Sequence, residues 1–200
     1  MGQLDLFFGG GSPSSVEVLS DRIWKTPEAK FHGVGQQIQE CVDSAGFLLV
    51  AHFDDTFDQL SAIARDHPGD PPVQATFADD LSTDIAIRWR VEQTDKLDVI
   101  VAERHPLLSV DDELMKFAEE LPCQCRVTYH HSLKDPLIKR FAGQWVEQIL
   151  EQLGFNDDEA MESSMVSKRI RAAQKKIEAS AFGNRRAASA AEWFETNMPG

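Results

Sequence analysis

Apolar residues follow two alternating rhythms along this chain. Phe47–Ala51 and Leu97–Ala102 are short, nearly continuous apolar runs. Runs of that length without alternation fit strands buried on both faces, as in a parallel sheet covered by helices. Val73–Phe77 and Cys123–Tyr129 add two further strand candidates. Between them the apolar positions step at helical spacing. Thr26-Pro27 supplies a hydroxyl cap and a first-position proline, followed by Phe31, Val34, Ile38 and Cys41 on one face, until Gly46 breaks the pattern. Asp54 or Asp55 is placed to cap a helix carrying Phe57, Leu60 and Ile63. Ser109 with Asp112 three residues on resembles a capping box before Leu114, Phe117, Ala118 and Leu121. Asp135-Pro136 opens a helix whose face carries Leu137, Phe141, Trp145 and Ile149, with Gly154 as its stop.

Two segments are less direct. His67–Pro72 is a loop by composition. In Asp79–Gln93, Ile85, Ile87, Trp89 and Val91 alternate like a strand, while Leu81, Ile85 and Trp89 fit a helix face. Parallel strands need a long crossover, which favours the helix. The fold class that follows is α/β, with a mostly parallel sheet in three layers and a C-terminal helical extension.

The ends differ from the middle. Residues 1–20 are rich in Gly and Ser and read as a mobile tail; Leu6, Phe7 and Phe8 are either a docking peptide or packing on the domain. Residues 21–153 form the α/β domain and 154–200 the extension, entered through an acidic hinge at Phe155–Ala160. Beyond it, Val166, Ile170, Ala173 and Ile177 draw a narrow apolar stripe on a highly charged helix. Such a helix needs a partner surface, either its own domain or another protein.

Charge sharpens that picture. The formal charge of -13 argues against nucleic acid as the main partner. Between Val166 and Arg186 stand seven basic residues and only Glu178 as an acid, so this segment is +6 and the remainder -19. Asymmetry of this kind suggests two surfaces with different tasks. No apolar run approaches the roughly 20 residues that span a bilayer, and no secretory pattern opens the chain. Three cysteines form no disulfide framework, so a cytoplasmic protein is the expectation.

Motifs of catalysis are sparse. GxxxxGK[ST], GxSxG, HExxH and paired CxxC do not occur, and Gly9-Gly10-Gly11 has no preceding strand. Cys123-x-Cys125 with His105, His130 and His131 could gather a metal, but two small strand residues and loop imidazoles explain them more simply. Glu103, Arg104 and His105 stand just past the central strand, where ligands bind in open α/β sheets. They could perform acid–base chemistry or merely form ion pairs.

A family resemblance rests on several collinear motifs. Met161–Glu178, with Ile170-Arg171-Ala172-Ala173-Gln174-Lys175-Lys176-Ile177-Glu178 at its heart, is similar to a run like IESKMVTKAIERAQKKVE in the SecA preprotein translocase ATPases. Ile23–Phe31 resembles VYKTEAEKY, and Val99–His105 resembles VIGTERH. Ala75-Thr76 and Thr83-Asp84-Ile85 match the ends of ATNMAGRGTDI, and Val127–Gly143 resembles FFLSLEDDLMRLFG. The likeness covers roughly residues 21–186, and implies the second nucleotide-binding domain, a RecA/helicase-like half domain, followed by the first scaffold helix. Departures concern phosphate chemistry. Phe77–Ser82 stands where the family has glycines and an arginine, and Asp111–Glu120 stands where it has the arginine-rich QLRGRSGRQGD. An acidic helix repels a γ-phosphate.

The resemblance therefore implies a degenerate, non-catalytic interaction module, acting with translocation machinery or a SecA-like ATPase. Lys168, Arg171, Lys175 and Arg185 are the candidate contacts with an acidic partner, although each fits a solvated helix face equally well. No cofactor is expected. The alternative is a subunit completing an ATPase site in trans, with ATP held weakly by remnants at Thr83, Asp84 and Arg104. A small-molecule enzyme using Glu103 and His105 is the third possibility.

Overall fold

The computed structural model describes residues 16–141 and 159–198. Trp145, Ile149, Gly154 and the expected docking peptide at Leu6–Phe8 lie outside them, as does most of the acidic hinge. Seven described strands form one sheet: β1 (Val16–Val18), β2 (Arg22–Trp24), β3 (Gly46–Ala51), β4 (Val73–Phe77), β5 (Lys96–Val101), β6 (Gln124–Ser132) and β7 (Met161–Glu162). The order is β4-β3-β5-β6-β2-β7, with β1 also on β6. Every pairing is parallel except that of β7 with β2.

Helices cover both faces. On one side lie α1 (Pro27–Glu40) and α2 (Asp54–Asp66); on the other, α3 (Asp84–Trp89) and α4 (Leu108–Glu120). Strand β3 shows why the sequence lacks alternation there. Phe47, Leu49 and Ala51 face α1 and α2 with Val34, Ile38 and Leu60, whereas Leu48 and Val50 face α3 and α4 with Ile85, Leu114 and Phe117. Both faces of a central strand are core. The architecture is that of a RecA-like half domain.

The C-terminal helices pack on the body. Helix α5 (Pro136–Phe141), α6 (Ser164–Glu178) and α7 (Ala190–Asn197) share a third apolar cluster with the body. Val166, Ile170, Ala173 and Ile177 are all buried, so the partner of that narrow stripe is the chain's own domain. Each fully buried Ile or Val there contributes about 1.5–3 kcal/mol of transfer free energy. Residues 16–18, expected within the mobile tail, are strand β1 on the edge of β6.

Several local expectations shift. Thr26 caps α1, accepting from the Ala29 N–H at 3.1 Å. Phe53 occupies the cap of α2, and Asp54 and Asp55 fall in its first turn. Leu107 caps α4 without a side-chain bond, because Ser109 lies inside the helix and gives its N–H to Glu178 at 3.1 Å. The capping box is therefore absent. The ambiguous segment becomes a 3₁₀ turn at Ala78–Asp80 and the short α3, with Ile87 exposed.

Trp24 fixes how α1 meets the sheet. Its ring fills the space beside Gly33, where an added Cβ would overlap Cζ2. Gly33→Ala should lower stability by about 1–3 kcal/mol through overpacking. Gly35→Ala, whose Cβ would meet nothing nearer than His67 Cε1 at 4.0 Å, should raise it by up to about 1 kcal/mol through helix propensity. Denaturant titration of both variants checks the pair of opposite signs.

Candidate functional site

The strand-end rim after β5 sends Glu103, Arg104 and His105 to three different places. Arg104 turns inward. Its Nε and Nη2 donate to Asp21 at 2.8 and 2.8 Å, and its Nη1 donates to Asp111 at 3.0 Å. Its guanidinium carbon lies 3.6 Å from the centre of the Tyr129 ring. Asp21 and Asp111 are fully buried and Arg104 is 3% exposed.

Local backbone geometry delivers Asp21. From Val18 to Arg22 the edge has one residue more than β6 has from Val127 to His130. An extra residue bows an edge and re-aims a side chain, and here it points Asp21 under the sheet end. Burial opposes ionisation of Asp21, but the Arg104 hydrogen bonds and the neighbouring His131 ring outweigh it and hold the carboxyl well below its ordinary range. Asp111 is likewise lowered against its burial, by His52, Arg104 and Gln174. His52 Nε2 lies 3.6 Å from Asp111, and His131 Nε2 lies 3.3 Å from Asp21. Gln174 of α6 completes the cage, donating to Asp111 at 2.8 Å and to the His105 carbonyl at 2.7 Å.

Glu103 points to the opposite side. It accepts from the Thr56 hydroxyl at 2.6 Å on the floor of a groove of about 670 Å³. Lys30, bonded to Asp135 at 3.1 Å, shares that floor. Burial pushes the Glu103 carboxyl up to about 7, with Lys30 pulling against it. Lys30 is raised in turn: burial disfavours its charge, but Asp135 and Glu103 outweigh burial. The groove mouth carries Glu28, Asp55 and Lys134, so carboxylates outnumber amines along it.

His105 is enclosed. Its Nδ1 accepts from the Leu107 N–H at 3.0 Å, and its ring stacks on Phe53 and meets Trp193 edge-on. Burial first, then neighbouring His52, lowers its pKa to about 3. Trp193 belongs to α7, and residues 184–197 roof this part of the rim. The roof is tied by the Asp55 N–H to the Ala188 carbonyl at 3.2 Å and by Arg186 to Asp54 at 3.2 Å. A cavity of about 130 Å³ remains beneath, between His52, Phe77, His105, Arg186 and Trp193.

The candidate residues are thus dispersed. Thr83 and Asp84 stand exposed at the start of α3, beyond β4, and no bond of Arg104 reaches them. Lys168 and Lys175 are exposed on α6, Arg171 is paired with Asp112 at 3.0 Å, and Arg185 is exposed. Cys123 and Cys125 lie at the start of β6 and His130 and His131 near its end. Among the described residues no group of three or more His, Cys, Asp or Glu is arranged to hold a metal. Reading the sequence missed Asp21, Asp111, Gln174, Lys30 and Asp135. Asp21, a single acid just ahead of the first apolar residues of the domain, carries no periodic signal, and Asp111 was read only as part of an acidic helix.

Comparison with known proteins now places the chain. It is 26% identical to protein translocase subunit SecA of Porphyromonas gingivalis over 198 aligned residues, covering 87% of this chain and 18% of that protein. SecA of Phocaeicola vulgatus matches at 27% over the same shares. SecA of Clostridium botulinum is 35% identical over 104 residues, which are 52% of this chain and 12% of the relative. The chain resembles a segment of SecA. It spans less than a fifth of the length of these SecA relatives. No family model matches it.

Two predictions follow from the rim. Arg104→Leu leaves Asp21 and Asp111 without their cation and should cost about 3–5 kcal/mol, as breaking a buried pair does; the triple variant that adds Asp21→Asn and Asp111→Asn should recover part of that loss in urea titrations. Glu103, whose folded pKa of about 7 lies above its ordinary 4.5, contributes stability that is fully present below the lower value and lost as pH rises through the upper. The stability of the parent minus that of Glu103→Gln should therefore fall between pH 5 and pH 8, on the order of 1–3 kcal/mol. An unchanged difference across that window would contradict the assignment.

Proposed function

We propose that this chain is a non-catalytic SecA-related module, accessory to protein export or to a SecA-like ATPase, working in the cytoplasm through protein contacts. One observation carries the reading: the rim's cation, Arg104, is consumed by Asp21 and Asp111 and sealed from solvent. A phosphate needs a cation or oriented donors aimed at it. The groove beside Glu103 instead presents mainly carboxylates, and residues 184–197 roof the rest of the rim. The relatives are translocase subunits by name, which supplies the process in which the module would act.

Helix α6 supplies the surface. Lys168 and Lys175, seven residues apart, share its outward face, with Lys176 and the half-exposed Arg171 flanking them and Arg185 beyond the helix end. An acidic protein partner complements that face; nucleic acid does not suit a chain of charge -13. No described helix is long and apolar enough to cross a membrane. The second reading, an ATP site completed in trans, draws on Thr83 and Asp84, which stay exposed at the strand-end side of β4.

Affinity capture from the native cytoplasm should retain a translocation component with the parent chain and lose it with Lys168→Glu/Lys175→Glu. Equal capture by both would remove α6 as the docking face. Calorimetric titration with ATP and magnesium should give no heat of binding, and tight, magnesium-dependent binding by the isolated chain would replace the first reading with the second.

A further inference from the structure

A pair of thiols lies at the end of the sheet away from the rim. Cys123 and Cys125 flank the exposed Gln124 where β6 begins, and residues two apart on an extended chain share a face. Their Sγ atoms stand 3.9 Å apart. Both side chains belong to the apolar cluster with Leu97, Phe117, Ala118 and Leu121. Cys41 packs against the opposite cluster and receives a hydrogen bond from Arg126 Nη2 at 2.8 Å, so it is not a third member.

We propose that Cys123 and Cys125 are a peroxide-sensitive site, converted by hydrogen peroxide to an intrastrand disulfide that small thiols reverse. The Cys123 thiolate attacks one peroxide oxygen, the O–O bond breaks, and the departing hydroxide takes up the thiol's proton as water. The Cys125 sulfur then attacks the sulfenic sulfur, the S–O bond breaks, and the hydroxyl leaves as water with the Cys125 proton. Two thiols and one peroxide give one disulfide and two waters; the sulfurs lose two electrons and the peroxide gains them.

The surroundings assign the roles. Cys123 lies in the bend before β6, whereas Cys125 lies inside the strand between β1 and β5, so Cys123 is the sulfur that an oxidant reaches first. Cys123 is thus the attacking sulfur and Cys125 the resolving one. An apolar layer favours a neutral disulfide over a soft-metal bis-thiolate, which would bury charge. Cα atoms two apart on a strand are about 6.6–6.8 Å apart, at the upper end of the roughly 4.4–6.8 Å that disulfides accept. The bond closes under strain, and strained disulfides are the readily reduced ones.

The test is a thiol census of the full chain by mass spectrometry, with alkylation under denaturing conditions after peroxide treatment. Two of the three cysteines should become refractory, the chain should lose two hydrogens in mass, and the peptide spanning Cys123 and Cys125 should carry the link. Dithiothreitol should restore all three thiols, and Cys41→Ser should behave like the parent. Cys125→Ser should instead leave a Cys123 sulfenic acid that dimedone traps. Three alkylatable thiols after peroxide, a link to Cys41 or a link between molecules would each overturn the proposal, whatever the variant does.

Discussion

A single buried guanidinium holds the distant parts of this chain in register. Arg104 follows β5, Asp21 comes from the bowed edge beside β6, and Asp111 comes from the first turn of α4. Gln174 reaches the same carboxylate from α6. Charges taken out of water are tolerated only when geometry and hydrogen bonding are nearly complete. None of these elements can shift without stranding a charge. Hence α6, whose partner surface the sequence leaves open, is fixed to the body at Gln174 as well as along its apolar stripe.

That arrangement constrains what the rim can do. Three guanidinium nitrogens are spent on carboxylates, and Tyr129 covers one face of the plane. Freeing Arg104 for a ligand would leave two aspartates uncompensated, a cost that an incoming anion would have to offset before binding at all. Glu103 and His105 are similarly committed, one to Thr56 and the Lys30–Asp135 pair, the other to Phe53 and Trp193. Three adjacent residues with catalytic potential act as three separate structural ties.

The sheet was legible because burial on both faces leaves an unbroken apolar run, as at Phe47–Ala51 and Leu97–Ala102. The helix starting at Thr26-Pro27 was legible because its cap is local. Asp21 was not, since its role depends on a register mismatch between residues more than a hundred positions apart. Ser109 misled for the converse reason: its spacing to Asp112 fits a cap, but tertiary packing starts α4 two residues earlier and turns Asp111 inward. The basic stretch of α6 is plain from composition. Which of its cations remain outward needed the fold, because Arg171 meets Asp112 of the neighbouring α4.

That last pairing bears on how α6 would recognise a partner. Asp112 of α4 meets Arg171 and Glu113 next to it is exposed, so negative charge lies against the basic face. An exposed ion pair contributes only about 0–1 kcal/mol, and screening acts over about 8 Å at physiological salt. Lys168 and Lys175 alone therefore give little affinity. A partner held by this face must engage several cations together and keep its own acids away from α4, which makes orientation part of the recognition. Apolar contact fits the same geometry: Met165 and Phe182 are exposed at the two ends of the basic stretch. Charge would set the approach and the register, and those two side chains would supply the binding energy that surface charge lacks.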